Sequence, residues 1–299
     1  MDKQWDVLGF GAVTVDDLIY VDRYPLPDTK VGVIDKQRQG GGLVGTALVA
    51  AARLGACTAY AGILGDDDLS RFTLDEFARE GVDCTFVLHR SEARPIHSII
   101  IVDTSGQRSI LASFAGVQWR NAAEISAAMI ANCRVLFIDH HAIEGNLRAI
   151  EFAHASGIPV VADIERKSEP QVEQLLPLVD HLIVGINFAR QRTGAEHPAD
   201  MALALAEGRS CTVVTAGEQG CWYVTREQRH QAIHQPAFQV PVADTTGCGD
   251  VFHGAYAAML AHGEPIDKII RIASATAALK ATRPGGRAGI PSRAAVTQF

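Results

Sequence analysis

The chain has 299 residues, 47% of them hydrophobic, which is enough to bury a large core in one main α/β unit. Its net charge of −7 argues against a nucleic-acid or membrane-surface partner, but it leaves an anionic substrate open, because local Lys and Arg override net charge. No window is apolar for long enough to span a bilayer, and MDKQWDVLGF lacks the basic start and long apolar centre of a secretory signal.

Along the chain, short apolar runs alternate with Ala-rich helical runs. Strands are predicted at Val7–Val13, Thr58–Leu64, Val135–Ile138, Val160–Asp163, His181–Val184 and Thr212–Thr215. Helices are predicted at Gly45–Leu54, Leu69–Glu80, Asn121–Ala131, Glu144–His154, Ala199–Glu207, Val251–Ala261 and Asp267–Thr282. Continuous apolar strands spaced by helices imply βαβ units and a mainly parallel sheet covered on both faces. Residues 14–38 and 95–114 break this rhythm, alternating like strands with no helix between them. The second stretch carries a hairpin signal, Asp103-Thr-Ser-Gly106. Both stretches read as extra strands, either at the edges of the main sheet or in a small sheet standing off it. The six cysteines, Cys57, Cys84, Cys133, Cys211, Cys221 and Cys248, are scattered with no C-x-x-C pair. That pattern fits reduced thiols in a cytosol better than disulfides or zinc.

The densest signal is ADTTGCGDVFHGAYA at 243–257. A turn holding Gly247, Cys248 and Gly249 runs straight into a small-residue helix near Asp250. Such a terminus concentrates free amides and the positive end of the helix dipole, so it suits an anion. An acid beside it is electrostatically contrary unless it serves as a base, which is the logic of phosphoryl transfer. The plainer reading is an N-capping Asp after a Gly-rich turn.

Other residues have equally plain alternatives. Gly40-Gly41-Gly42 is a flexible loop before a helix, or a place of close backbone approach. Asp16 follows the first strand, where α/β folds put ligands, yet it sits beside Asp17 as any surface charge could. Gly9 and Gly11 lack the third glycine of a dinucleotide fingerprint. His140-His141 could bind metal, but no third ligand has suitable spacing, so hydrogen bonding to a substrate is preferred. His253 reads as a packed, satisfied histidine. Lys30 and Arg94 are solvated charges, or contacts for an anionic substituent.

The 244–250 run, DTTGCGD, resembles the D-T-x-G-A-G-D signature of the ribokinase (PfkB) family of carbohydrate kinases, with Cys248 in place of Ala. Gly41-Gly42 through Arg53-Leu54-Gly55 is similar to the family's N-terminal signature, with Thr46 where Asn is usual. The resemblance implies a ribokinase-like three-layer α/β sandwich with a mainly parallel central sheet. It divides the chain into a kinase body of 1–13, 39–94 and 115–299 and a β lid of 14–38 and 95–114. It implies an ATP- and Mg²⁺-dependent sugar kinase of the cytoplasm, with Asp250 as general base and Gly247, Cys248 and Gly249 presenting amides to the phosphate.

The same resemblance puts Asp16, Lys30, Gly41, Gly42, Thr46, His140 and His141 at the sugar. It puts Thr215, Gly217, Gly220, Thr245, Ala277 and Gly286 at the nucleotide, and Asp244 and Thr246 at a monovalent-cation site suited to K⁺. Asp163-Ile-Glu165-Arg166 resembles a D-x-N-x-R motif, with Glu for Asn. A metal-linked N-x-x-E motif is altered, since Asn187 is displaced and no Glu follows. Residues 235–291 are most similar to the sulfofructose kinase branch. Lys30 matches a sulfonate contact of that branch, while Ala112 and His141 depart from its Asn and Arg. The implied substrate is a fructose-like ketohexose or derivative, with ribose, a nucleoside, or a non-catalytic sugar sensor as alternatives. A homodimer formed through the lid is the implied partner.

Overall fold

The computed structural model of the chain describes residues 3–165 and 172–299. In chain order the strands are β1 (Trp5–Phe10), β2 (Thr14–Val21), β3 (Val33–Gly41), β4 (Thr58–Tyr60), β5 (Ile63–Leu64), β6 (Val82–Asp83), β7 (Leu88–His89) and β8 (Ile96–Asp103). There follow β9 (Arg108–Ser113), β10 (Cys133–Asp139), β11 (Val160–Asp163), β12 (His181–Gly185), β13 (Cys211–Thr215), β14 (Cys221–Thr225) and β15 (Ile233–Gln235). The helices are α1 (Leu43–Arg53), α2 (Asp68–Glu80), α3 (Ala127–Ala131), α4 (Ile143–Ala155), α5 (Val172–Leu175), α6 (Ile186–Thr193), α7 (Pro198–Leu205), α8 (Cys248–Ala261), α9 (Ile266–Ala281) and α10 (Arg293–Gln298).

A nine-stranded sheet in the order β15-β14-β13-β12-β11-β10-β1-β4-β6 forms the centre. It is parallel from β6 to β13 and antiparallel at β14 and β15. One apolar layer packs α1, α8 and α9 on one face, and a second packs α4, α6 and α7 on the other. The body is therefore a three-layer α/β sandwich with helices on both sides of the sheet, the fold the resemblance implies. The small-residue helix expected after 250 is α8, and it lies tight on α1: a Cβ at Gly254 would sit 2.1 Å from the Ala47 carbonyl oxygen.

The two irregular stretches form a separate four-stranded sheet, β3-β2-β8-β9. The expected turn closes its second hairpin, with Asp103 Oδ1 accepting from the Ser105 and Gln107 amides. Register decides which side chains share a face. Gln39, Asp16, Ser98 and Ala112 lie in one row across the sheet, and Arg108 belongs to the same face nearer the hairpin tip.

Several elements depart from expectation. The first strand stops at Phe10 because Gly11 turns the chain with φ 151, and a Cβ there would collide with the Asp139 carboxylate at 2.4 Å. The Thr58–Leu64 run splits at Ala61-Gly62, where a Gly62 Cβ would meet Tyr60 Oη at 2.0 Å and the chain leaves to pair with β7. The helix expected over Asn121–Ala131 is broken. Asn121 and Glu124 close a capping box around a single 3₁₀ turn, Ile125 is extended, and Ser126 caps α3 afresh. Helix α6, flanked by Gly185 and Gly194, and the antiparallel β14 and β15 had no clear periodic signal.

Candidate active site

The N-terminus of α8 organises the site. Gly247 takes the left-handed conformation, φ 75, and provides no side-chain cap. The Cys248 amide turns back to the Thr245 carbonyl, 3.2 Å, and the next amides have no partner inside the helix. Gly247 must be glycine on two counts, since a Cβ would also lie 2.9 Å from the Gly286 carbonyl oxygen. This nest opens on a cavity of about 810 Å³. Thr215, Gly217, Gly220, Thr245, Cys248, Gly249 and Ala277 all line that cavity, with Phe238, Val240 and Phe252 giving it apolar walls. Gly286 lies behind the nest and does not line it.

Asp250 stands half-buried in the first turn of α8. Burial, and then the charges of Asp163 and Glu165, push its carboxyl well above the usual range. Arg287 and His253 pull it partly back. Asp163 ends β11 and lies 3.3 Å from His253 Nδ1. His253 is satisfied, as expected: Nδ1 faces the Gly249 carbonyl at 2.8 Å and Nε2 the Ile183 carbonyl at 3.0 Å. Arg166 lies outside the described residues. Asn187 is exposed in the first turn of α6. The Cys248 thiol is raised by burial and lies 3.6 Å from the Ala277 carbonyl, so the lowered value a helix N-terminus can give is overruled here.

Asp16 faces inward from the small sheet beside Gln39 and Ser98. Burial raises its carboxyl, against the Thr14 and Ser98 hydroxyls and the Arg287 charge. The glycine run at 40–45 now has a physical cause. A Cβ at Gly41 would lie 2.4 Å from Asp16 Oδ2, and one at Gly40 or Gly45 would lie 2.2 or 2.5 Å from the Arg287 guanidinium. Arg287 itself is buried. It donates to the Gly41 carbonyl at 2.6 Å and to the Thr46 hydroxyl at 3.4 Å, and pairs with Glu76 at 3.4 Å. Thr46 is therefore engaged by protein, and Gly42 begins α1 with φ 88.

His140 and His141 follow the end of β10. The His141 ring stacks on Trp119, 5.1 Å between centroids, and lies 6.2 Å from Phe114, which follows β9. His141 thus reaches the corner of the small sheet nearest Ala112. Among the described residues no three His, Cys, Asp or Glu side chains are arranged to hold a metal ion. Lys30 is not brought to these residues; it is exposed in loop 22–32, at the end of the small sheet far from Gly41. Arg94 pairs instead with Asp67, 3.4 Å.

The sequence reading missed Asp139, Gln39, Arg287 and Lys280. Asp139 is buried and accepts from the Ala12 amide at 2.6 Å and the His141 amide at 2.8 Å, tying the ends of β1 and β10 together. Lys280 could have been found, because it falls in the apolar stripe of α9 with Ala273 and Thr276.

A model of the pfkB family of carbohydrate kinases matches residues 7–293. The chain is 29% identical to the ribokinase of Haemophilus influenzae, over 100% of this chain and 99% of that one. It is 26% identical to fructokinase-1 of Zea mays, over 98% and 97%. A structure of Arabidopsis thaliana ribokinase complexed with ribose and ATP superposes with a TM-score of 0.88 at 22% identity, covering 100% of this chain and 98% of that one.

Proposed function

The chain belongs to the pfkB family of carbohydrate kinases, and on that footing we propose that it transfers the γ-phosphoryl group of ATP to a primary hydroxyl of a small sugar. The observation that carries this reading is Asp250 beside the open amides of α8, at the edge of a cavity lined by Thr215, Gly217 and Ala277. Asp250 takes the sugar hydroxyl's proton. Its raised carboxyl is better matched to a base at neutral pH than an ordinary Asp. The amides of Gly249 and its neighbours hold the phosphoryl charge as it builds. A bound Mg²⁺ would neutralise charge on the transferring group, and the exposed Glu165 carboxylate after β11 would offer it a hard oxygen.

The sugar lies against Asp16, Gly41 and Gly42, beneath the small sheet acting as a lid, with His140 and His141 at its far corner. The lid excludes water that would otherwise consume ATP. Within this class a fructose-like ketohexose is favoured over ribose, because the substrate row has only Ser98 and Ala112 beyond Asp16 and leaves room. The scattered free cysteines favour a cytoplasmic enzyme. Exposed apolar residues on the lid, Ile34 at 63% and Leu111 at 56%, favour a homodimer through it. The test is ADP release with a panel of ribose, fructose, their derivatives and nucleosides. No stimulation by any sugar rejects the reading, and ribose outpacing every ketohexose rejects the fructose-like preference.

A further inference from the structure

Lys280 is completely buried in the last turn of α9. A buried ammonium is costly unless its surroundings repay the lost water, so its position calls for a reason. Its Nζ donates to the Asp244 carbonyl at 2.9 Å. The charged and titratable groups that face it are Asp244, Cys248 and Asp250, with Arg108 from the small sheet. The ammonium thus stands beneath the phosphate nest, where the resemblance put a potassium ion at Asp244 and Thr246.

These residues do not fit that ion. A bare monovalent cation needs open oxygens, and here they are taken. Asp244 Oδ1 accepts from the Thr246 amide at 2.8 Å and the Thr246 hydroxyl at 2.6 Å, and Oδ2 accepts from the Gly285 amide at 2.8 Å. Arg108 lies 3.8 Å from Oδ1. The Ala281 carbonyl accepts from the Ala243 and Asp244 amides at 2.8 and 3.1 Å. We propose that the Lys280 ammonium is a built-in monovalent cation that orders the Asp244–Gly249 turn, so this kinase works without potassium. The proposal rests on the kinase reading. Lys280 acts through the turn and does not touch substrate, so it is a positioning residue.

The test compares the wild-type enzyme in KCl, NaCl and tetramethylammonium chloride at equal ionic strength. Sugar-dependent rates and melting temperatures should agree across the three salts. Activation by K⁺ of about fivefold or more, the low end of an ordinary coupling between two sites, overturns the proposal. So does a potassium-specific rise in melting temperature, which reports binding to the folded state without any turnover. Lys280→Met removes the charge and nearly keeps the length. Its kcat/KM for ATP should fall about tenfold or more and recover in part with KCl but not tetramethylammonium chloride, a response a purely structural lysine would not confer. A Lys280→Met enzyme with wild-type kcat/KM in tetramethylammonium also overturns it. The wild-type arm decides even if Lys280→Met does not fold. Absence of turnover in every salt would instead count against the kinase reading, and the melting arm would still decide this one.

Discussion

At the scale of single residues, Asp250 was legible and its surroundings were not. The motif spacing pointed to a base, but the raised carboxyl comes from burial and then from the charges of Asp163, at the end of β11, and Glu165 just after it, which no local pattern reveals. Asp250→Asn keeps the shape and removes the basicity, so kcat should fall about 10²–10⁴-fold while ATP still binds. Near-normal kcat in that variant sinks the assignment. The base must be deprotonated to act, so the acid limb of kcat/KM should lie above the ordinary carboxylate range of about 4. Asp139 makes a second, independent claim. Burial pushes it up to about 7 from 3.8, so the folded state binds an extra proton between those values. Its contribution to stability is full below about pH 4 and is lost as pH rises through 7, a swing of at most about 4 kcal/mol. Asp139→Asn should flatten the fall of unfolding free energy over that window, although the variant also loses an acceptor. A slope unchanged by the substitution refutes the assignment of that proton to Asp139.

At the scale of elements, periodicity located the helices with a strong apolar stripe and failed where capping overrode it. Asn121–Ala131 has helical composition, yet two successive caps stop and restart it. The glycine run before α1 read as flexibility, whereas Gly40 and Gly41, with Gly45 inside α1, are cut to fit partners from distant elements, Asp16 on β2 and Arg287 near the C-terminus. No sequence window joins positions 40 and 287, so the reason was invisible there. Gly41→Ala would place a methyl 2.4 Å from Asp16 Oδ2. The carboxylate tip must move, and on the proposed function it is the group that reads sugar hydroxyls. A misplaced buried hydrogen bond costs about 1–3 kcal/mol, so the sugar KM should rise about 5- to 150-fold, with the ATP KM little changed. Equal rises in both constants would show that the substitution disturbs the body of the enzyme, and the sugar-reading role of Asp16 would fall.

At the scale of the whole molecule, the two irregular stretches were legible as extra strands and the resemblance made them a lid, but the contacts that join their sheet to the nest were not legible. The small sheet touches the nest from two of its strands. Gln39 on β3 accepts from the Gly286 amide at 3.1 Å, and Arg108 on β9 reaches the Thr246 hydroxyl and Asp244. Both contacts bridge the small sheet and the turn before α8, so on the proposed function sugar held beneath the sheet and phosphate held at the nest favour the same closed arrangement. The Arg108 side chain keeps 42% exposure, and an ion pair that open is worth about 1 kcal/mol or less. Arg108→Ala should therefore raise the sugar KM no more than about fivefold and leave kcat nearly intact, while the ratio of ATP hydrolysis to sugar phosphorylation rises as the lid opens more often. Kinetics with and without sugar measure both quantities. No change in either would mean the contact does not hold the lid. A loss of kcat beyond about 10²-fold is too large for an exposed latch and would place Arg108 on the transferring phosphoryl group itself.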